Sequence, residues 1–303
     1  MYMRRSAAVL FCLVSAFATI FIAPSVGLSW GFFAHREIHR QAIKNLPPEM
    51  GDFFAAWSDT LIALSIAPDV RRSKDTLEAL KHYIDIDRYG GLPFRELPRA
   101  YADAARKYGR AHVDSNGTVP WTIIATLEGL TDAMRRKDRD AILARAGDLG
   151  HYVADAHVPL HATENYDGQM TGQKGLHSRW ESRIPERFGQ SYRIGGGTAV
   201  YIAQPLDNAF SIVLESFSQV DSVLEADRKA CAGIPKEELI TTREVKGRMV
   251  SEYSTAYYDA MHRELNGMVE RRMQKASVSV ASHWYTAWVN AGRPDFSTLL
   301  PQK

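Results

Sequence analysis

The feature that most constrains the fold of this chain is a set of long segments in which apolar residues recur with the period of an α-helix. These segments span roughly 31–46, 120–137, 138–158, 205–228, 242–273 and 275–290. Prolines stand where helices begin or end, since Pro120 opens the second segment and Pro159 follows the third. The pattern predicts an all-α protein.

Patterns of strand alternation are short by comparison, and the best of them is "GTAVYIAQ" at 197–204. The stretch 162–176, "ATENYDGQMTGQKGL", is rich in Gly, Asn and Thr and is expected to be irregular. Neither an internal repeat nor a low-complexity linker divides the sequence. We therefore expect residues 30–303 to form a single multi-helix domain.

Residues 1–29 have the three-part layout of a secretory signal peptide. Two arginines form a positive start, the apolar run "AAVLFCLVSAFATIFIA" follows, and Gly27 and Ser29 are small residues before a cut in front of Trp30. An uncleaved membrane anchor is the alternative, because the run approaches the ~18 residues that cross a bilayer. The small residues favour cleavage, so we expect an exported protein, periplasmic or secreted.

Charge and cysteine content limit what the exported chain can be. The whole sequence has 37 basic and 35 acidic residues, and 1–29 holds two arginines and no acidic residue, so the mature chain is balanced. A net charge near zero gives no argument for nucleic acid or an anionic membrane as the main partner, although it excludes neither. Cys231 stands alone once Cys12 is removed, so stability must come from a large core, a metal, or both.

Histidines and carboxylates recur at spacings typical of metal ligands. "HYVAD" places His151 and Asp155 four residues apart on one helix face, and "HSRWE" repeats this spacing with His177 and Glu181. His161 lies between the two pairs. Imidazole nitrogen and carboxylate oxygen both suit Zn²⁺. A single pair is usually an exposed helix ion pair, but two in close succession predict a metal site.

Four other polar residues are weaker candidates. His39 ends "HREIH", which lacks the Glu directly after the first His of a zincin helix, so it is expected on the helix surface or beside a ligand. His157 faces away from the first His/Asp pair and is interpreted as structural. Asp85 and Asp87 in "HYIDIDRY" are expected either to orient His82 or to be ordinary helix or loop carboxylates.

Five segments, taken in order, resemble the zinc-dependent phospholipase C and S1/P1 nuclease superfamily: "WGFFAH", "PD" at 68–69, "HYIDI", "HYVADAHVPLH" and "LHSRWE". They span residues 30–181, and the later helices are only compatible with it. The resemblance implies an all-helical domain of the phospholipase C/P1 nuclease type with three zinc ions. It also implies that the mature chain begins with a Trp whose amine and carbonyl bind zinc, a ligand that exists only after cleavage.

Carried over position by position, the resemblance implies three zinc sites. Asp69, His82, His151 and Asp155 would hold the first, Trp30, His35 and a bridging Asp155 the second, and His161, His177 and Glu181 the third. Asp69 would also be the catalytic residue that orients the attacking water and acts as its general base. A zinc cluster of this kind performs hydrolysis, because it activates water and binds phosphate oxygens.

The expected activity is hydrolysis of a phosphodiester bond, with two substrate classes left open. Glu181 in the third set and the absence of disulfides resemble the phospholipase C branch, to which the sequence leans slightly. "VPLHA" and "GLHSRWES", with Trp180, are close to the nuclease branch, so a single-strand nuclease or 3′-nucleotidase is the alternative.

A non-catalytic binding protein stabilised by zinc is a third interpretation. It is disfavoured because structural zinc sites are usually rich in cysteine, whereas the ligands expected here are nitrogen and oxygen donors. The sequence implies no stable protein partner. A transient contact with a membrane surface would accompany a phospholipid substrate.

Overall fold

The fold is a succession of helices joined by short connections, with a small β-hairpin inserted before the last long helices. The computed structural model describes residues 30–245 and 247–301, so the expected signal segment 1–29 lies outside the described residues. The helices are α1 (Phe32–Lys44), α2 (Pro48–Ala56), α3 (Ser58–Leu64), α4 (Ala67–Arg72), α5 (Tyr101–Tyr108), α6 (Arg110–Ser115), α7 (Val119–Arg135), α8 (Arg139–Ala156), α9 (Leu176–Ser178), α10 (Ile184–Phe188), α11 (Pro205–Phe217), α12 (Val220–Ala232), α13 (Lys236–Leu239), α14 (Thr255–Glu264) and α15 (Met268–Asn290). The strands are β1 (Ile240–Val245) and β2 (Arg248–Tyr253). The expected all-α class is confirmed.

Several shorter turns connect these helices. The 3₁₀ turns span Ala79–Lys81, Ile86–Tyr89, Pro159–His161, Gly189–Ser191 and Ser297–Leu299, and a π turn spans Arg179–Arg183. Those at 79–81, 159–161 and 179–183 adjoin or contain residues that the sequence singled out as metal ligands.

The centre of the molecule is the antiparallel pair α7 and α8, across which α15 packs. Local sequence explains where both helices begin. Pro120 lies in the first turn of α7, and Asp138 caps α8 by accepting a hydrogen bond from the Ala141 amide at 3.1 Å. Trp284 of α15 donates from its indole to the Ala146 carbonyl of α8 at 2.9 Å. These contacts hold α8, with most of its second half buried, inside the core.

The segment expected to be a strand, 197–204, is not one. It lies along α15, and side chains of that helix satisfy its amides: Val200 donates to Ser282 Oγ at 3.1 Å, and Ile202 donates to Thr286 Oγ1 at 2.9 Å. The alternating pattern therefore reflects packing of a loop on a helix. Its backbone is satisfied without the ladder that defines a strand.

The prediction of a helix over 242–273 is wrong for the first part of that range. Residues 240–253 form an antiparallel hairpin in which Arg243 lies opposite Val250 and Gly247 turns with a φ of 75°. An Arg243–Glu252 ion pair at 2.7 Å crosses the two strands. Strand-forming residues and the glycine at the turn prevail over the apolar spacing, and α14 begins only at Thr255.

The other expected helices are present with adjusted ends. The segment 205–228 is divided into α11 and α12, and the last helix begins earlier, at Met268. Residues 162–176 consist almost entirely of turns and bends, as expected. Within the described chain no single helix is long and apolar enough to cross a bilayer; the bent pair Pro48–Ala56 and Ser58–Arg72 meets those requirements only in combination.

Candidate metal centre

Helix α8 places the side chains of His151 and Asp155 on the same face, one turn apart, and both are fully buried. His151 donates from Nδ1 to the Ser65 carbonyl at 2.8 Å. Its Nε2 then faces Asp155, 3.2 Å from Oδ2. The contact with the backbone of residue 65 therefore sets both the orientation and the tautomer of the ring.

Three other segments bring a side chain to this face: His35 comes from α1, Asp69 from α4, and His82 follows the 79–81 turn. Asp155 Oδ1 lies 3.3 Å from His35 Nε2, and Asp155 Oδ2 lies 2.9 Å from His82 Nδ1. Asp69 Oδ1 lies 3.9 Å from both His82 Nδ1 and His151 Nε2. We call these five buried side chains the central cluster (His35, Asp69, His82, His151 and Asp155).

The remaining three side chains expected as ligands form the outer cluster (His161, His177 and Glu181). His177 Nε2 lies 2.8 Å from Glu181 Oε2 and 3.0 Å from His161 Nε2, and His161 Nε2 is 3.4 Å from the same oxygen. Glu181 lies in the π turn after α9, an irregularity often found at functional sites. His161 donates from Nδ1 to the His82 carbonyl at 2.6 Å, so the backbone of one cluster orients a side chain of the other.

Trp30 is fully buried against elements of both clusters. Its indole nitrogen donates to the Ala154 carbonyl at 2.7 Å, next to Asp155 in sequence. The following amide, of Gly31, donates to the Glu181 carbonyl at 3.0 Å. The backbone at residue 30 is therefore held between the helix that carries Asp155 and the turn that carries Glu181.

The two clusters bring buried carboxyl groups into contact with histidines. Among the described residues, Asp155 and Glu181 form ion pairs with histidines alone. Burial raises the pKa of Glu181 to about 8, and its Oε1 accepts no hydrogen bond within the described chain. Burial by itself would lower the pKa of His151, but Asp155 and Asp69 raise it to about 9. The electrostatic field at both clusters therefore favours a cation.

The donor atoms fit zinc in kind and in spacing. Ligand atoms at about 2.0–2.2 Å from a tetrahedral ion lie about 3.4 Å from one another. The contacts described above between donor atoms range from 2.8 to 3.9 Å, and all of the donors are nitrogen or oxygen. Asp155 directs one oxygen to His35 and the other to His82 and His151, as a carboxylate shared between two ions would.

The two weaker histidine candidates lie outside the clusters. His39 is fully buried instead of lying on the helix surface; it donates from Nδ1 to the His35 carbonyl at 2.9 Å and packs edge-on against Trp284. His157 donates from Nδ1 to the Val153 carbonyl at 2.8 Å, which agrees with a structural role. The inward side of α1 therefore carries a packing histidine as well as a cluster histidine.

The two weaker carboxylates have separate surroundings, and neither forms a hydrogen bond with His82 within the described chain. Asp87 accepts from the Thr163 hydroxyl at 2.6 Å and from the Glu164 amide at 3.0 Å, so it ties down the irregular segment. Asp85 faces a cavity, and burial and the charge of Asp87 raise its pKa to about 7.

This cavity, of about 320 Å³, opens over both clusters. Its lining residues are Arg72, Ala79, His82, Tyr83, Asp85, Leu160, His161, Tyr166 and His177. Sequence reasoning did not single out Arg72, Tyr83 or Tyr166. Two of them stand close in sequence to an expected ligand, Arg72 after Asp69 and Tyr83 after His82, and that closeness was the available signal.

An all-helical chain that gathers buried histidines and carboxylates into adjoining clusters beneath a cavity has the architecture expected of a metal-dependent hydrolase. The chain belongs to the S1/P1 nuclease family, whose model matches residues 30–287, and thereby to the superfamily that the sequence resembled. A search of curated proteins found no match. Members of the family are zinc-dependent phosphodiester hydrolases, so this chain is an enzyme of that class.

Proposed function

We propose that the chain is an exported phosphodiesterase that cleaves single-stranded nucleic acid. The observation that carries this proposal is the cavity over the two clusters. Tyr83 and Tyr166 offer aromatic faces on which a base stacks, and Arg72 offers a guanidinium that suits a phosphate. The Arg72 guanidinium interacts with Asp69 through its charge and forms no ion pair or hydrogen bond within the described chain, so its donors are available to a ligand. Asp85 adds a carboxyl group that pairs with the amino groups of bases.

The proposed metal content is three zinc ions in the sets expected from the sequence. The first set is Asp69, His82, His151 and Asp155, the second is Trp30, His35 and Asp155, and the third is His161, His177 and Glu181. The two-sided contacts of Asp155 support its role as the shared ligand. The position of Trp30 between the two clusters supports a contribution from its backbone.

The chemistry divides between the metal and the protein. Bound zinc lowers the pKa of water to about 7 and stabilises charge on the phosphate and leaving oxygens. We assign Asp69 to orienting the attacking water and accepting its proton, because its carboxylate lies at the edge of the central cluster, 3.9 Å from two ring nitrogens. Arg72 holds the phosphate from the cavity side. The backbone contacts of His151 and His161 keep their rings aimed during the reaction.

A phospholipase C-like activity is the second candidate, and the same cavity provides its support. Two tyrosines beside a carboxylate also suit a quaternary ammonium head group. The Glu181 carboxylate in the outer cluster is the sequence feature that favours the phospholipase C branch. The match to the nuclease family model favours nucleic acid over lipid, whereas the Arg72 guanidinium suits the phosphate of either substrate.

Export and processing form a separate proposal: residues 1–29 are removed and 30–303 are the mature single domain. The family match begins at Trp30, the described chain shares one hydrophobic core, and family members are typically secreted. The intact mass of the protein recovered from the producing cells and their medium tests it. A mass that includes any of residues 1–29 contradicts the proposal.

The substrate is tested with purified protein that begins at Trp30 and has been assayed for zinc. Single-stranded DNA, RNA and phosphatidylcholine vesicles are compared side by side. Cleavage of nucleic acid with intact vesicles is the expected result, whereas lipid hydrolysis alone would establish the second candidate. Zinc binding without either activity would contradict both substrate proposals, and the absence of zinc would contradict the metal sets.

A variant of a cavity residue tests whether the cavity binds a nucleic-acid base. Tyr83→Ala is expected to lower kcat/KM on single-stranded DNA by about 5- to 150-fold, the range for one lost stacking contact. Hydrolysis of a small phosphodiester without a base should stay near the wild-type rate. Tyr201→Ala, at an exposed tyrosine that does not line the cavity, is the matched control. Equal losses on both substrates would contradict a base-binding role for Tyr83.

A further inference from the structure

His82 presents an unusual side of its ring to the central cluster. Its Nδ1 lies 2.9 Å from Asp155 Oδ2 and 3.0 Å from His151 Nε2, so Nδ1 is the atom directed at the proposed metal. Its Nε2 is directed away from the cluster, is buried, and has no hydrogen-bond partner within the described chain. The polar atom that approaches it is Glu78 Oε1, at 3.9 Å.

This arrangement differs from that of two other ring ligands. His151 and His161 each donate Nδ1–H to a backbone carbonyl, at 2.8 Å and 2.6 Å, and direct Nε2 to their cluster. For these rings the main chain supplies the acceptor that fixes the tautomer. For His82 the ring is reversed, and the carboxylate of Glu78 approaches its Nε2 to 3.9 Å.

Glu78 is held firmly in that place. Only 2% of its surface is exposed. Lys81 Nζ donates to its Oε2 at 2.7 Å, and Arg71 Nη2 and the Tyr152 hydroxyl donate to its Oε1. Arg71 is itself anchored to Asp148 at 3.0 Å. The carboxylate is therefore an ionised, oriented acceptor built into the wall behind His82.

A histidine that binds a metal through Nδ1 must carry its proton on Nε2, and that N–H needs an acceptor. A carboxylate behind such a ring raises its basicity and fixes its orientation. We propose that Glu78 is a positioning residue that holds His82 as an Nδ1 ligand by accepting its Nε2–H. The inference rests on the proposed place of His82 among the zinc ligands.

The first test is zinc affinity, measured at equilibrium by competition with a chromophoric chelator. Glu78→Gln keeps the size of the side chain and removes its charge. It is expected to lower the affinity for the zinc ion that His82 is proposed to bind by about 10- to 100-fold. Glu128→Gln is the matched control, because it makes the same change at an exposed glutamate on α7. The control should keep the wild-type affinity. Equal losses in both variants, or none in Glu78→Gln, would overturn the proposal.

The second test begins with the wild-type protein, so its first result does not depend on whether a variant folds. In zinc-loaded wild-type protein labelled with ¹⁵N-histidine, NMR should show His82 protonated on Nε2, with a strongly downfield, slowly exchanging proton. In Glu78→Gln this proton should move upfield, and in Glu128→Gln it should not. A His82 protonated on Nδ1, or an Nε2 proton with the shift of a solvent-exposed ring, would overturn the role of Glu78.

Different results would contradict the proposed metal sets and the proposed role of Glu78. If the wild-type protein binds no zinc, the proposed metal sets fail and the role of Glu78 fails with them. If the wild-type protein binds zinc and cleaves its substrate while Glu78→Gln matches it in affinity and spectrum, only the role of Glu78 is wrong.

Discussion

At the scale of single residues, Asp155 is the side chain on which the central cluster depends most. It is fully buried, its Oδ1 contacts His35, and its Oδ2 contacts His82 and His151. A carboxylate shared in this way has no substitute of the same shape that keeps both negatively charged oxygens.

Asp155→Asn should therefore be the most costly change in the central cluster. We expect it to lower the zinc content and to reduce kcat/KM by more than about 100-fold, beyond the usual loss when a residue behind a ligand is removed. Zinc per chain and hydrolysis of a small phosphodiester are the measurements. Asp148→Asn on the same helix is the control. Full zinc content and activity in Asp155→Asn would show that the assignment of this cluster is wrong.

A second prediction at the scale of single residues concerns Asp85, whose raised pKa makes the stability of the protein depend on pH. Burial and the charges of Asp87 and Glu164 raise the pKa of Asp85 from 3.8 to about 7. Because the folded pKa lies above the unfolded value, ionisation is less favourable in the folded chain, and the loss of stability grows as pH rises from about 4 to 7.

In metal-free protein, where no zinc charge lowers that pKa, Asp85→Asn should consequently raise the thermal midpoint at pH 8 and change it little at pH 4. Thermal unfolding at both pH values measures this. Asp103→Asn, at an exposed carboxylate on α5, is the control and should behave alike at both. A destabilised Asp85→Asn protein at pH 8 would contradict the argument.

At the scale of elements, the position of α8 depends on a close approach to α1. Gly150 precedes His151 and faces the ring of His39; a Cβ at residue 150 would lie 2.9 Å from His39 Cε1 and 3.1 Å from Val280 Cγ1. Both neighbours belong to packed helices, so neither can move freely. The small residue at 150 thus allows α1 and α15 to pack against the turn of α8 that carries His151 and Asp155, two of the proposed metal ligands.

Gly150→Ala should destabilise the protein by about 1–3 kcal/mol, the usual cost of overpacking a core. Gly129→Ala on α7 is the matched control, because a Cβ there meets the Arg145 side chain at an ordinary 3.6 Å. The control should be neutral or stabilised by up to about 1 kcal/mol, since alanine favours helix. Denaturant unfolding measures both. A stabilised Gly150→Ala protein would contradict the tight approach.

At the scale of the whole molecule, the clusters join segments that lie far apart in the chain. The central cluster takes side chains from α1, α4, the 79–81 turn and α8, and the outer cluster adds those at 161, 177 and 181. Without a cation, the buried carboxylates of these clusters face one another and histidines. Metal binding should therefore be coupled to the stability of the fold.

Removal of zinc by a chelator should lower the thermal midpoint by roughly 5–10 °C, the shift expected for a ligand at about 100 times its dissociation constant and a chain of this size. Addition of zinc in excess of the chelator should restore the midpoint, and magnesium, which prefers oxygen ligands, should not. Differential scanning calorimetry measures both. An unchanged midpoint after confirmed loss of zinc would argue against the coupling.

Much of the candidate site could be predicted from local sequence. The pairs His151/Asp155 and His177/Glu181 need only the geometry of a single helical turn, and the helices that carry most of the fold follow from apolar periodicity and proline positions. The hairpin at 240–253 could not be predicted in this way, because strand pairing and a glycine turn compete there with a helical pattern of similar strength. The strand expected at 197–204 failed for the related reason that its partner is the side of a helix.

The sequence by itself therefore determined the helical class, the family and the residue types of the candidate metal centre, since each depends on spacing within short segments. Tertiary structure alone decided which atoms meet: the two-sided contacts of Asp155, the reversed ring of His82 with Glu78 behind it, and the place of Arg72 and Tyr83 in the cavity. These features depend on contacts between residues distant in the chain. Their distances are set when separate helices pack into one core, and no local period encodes them.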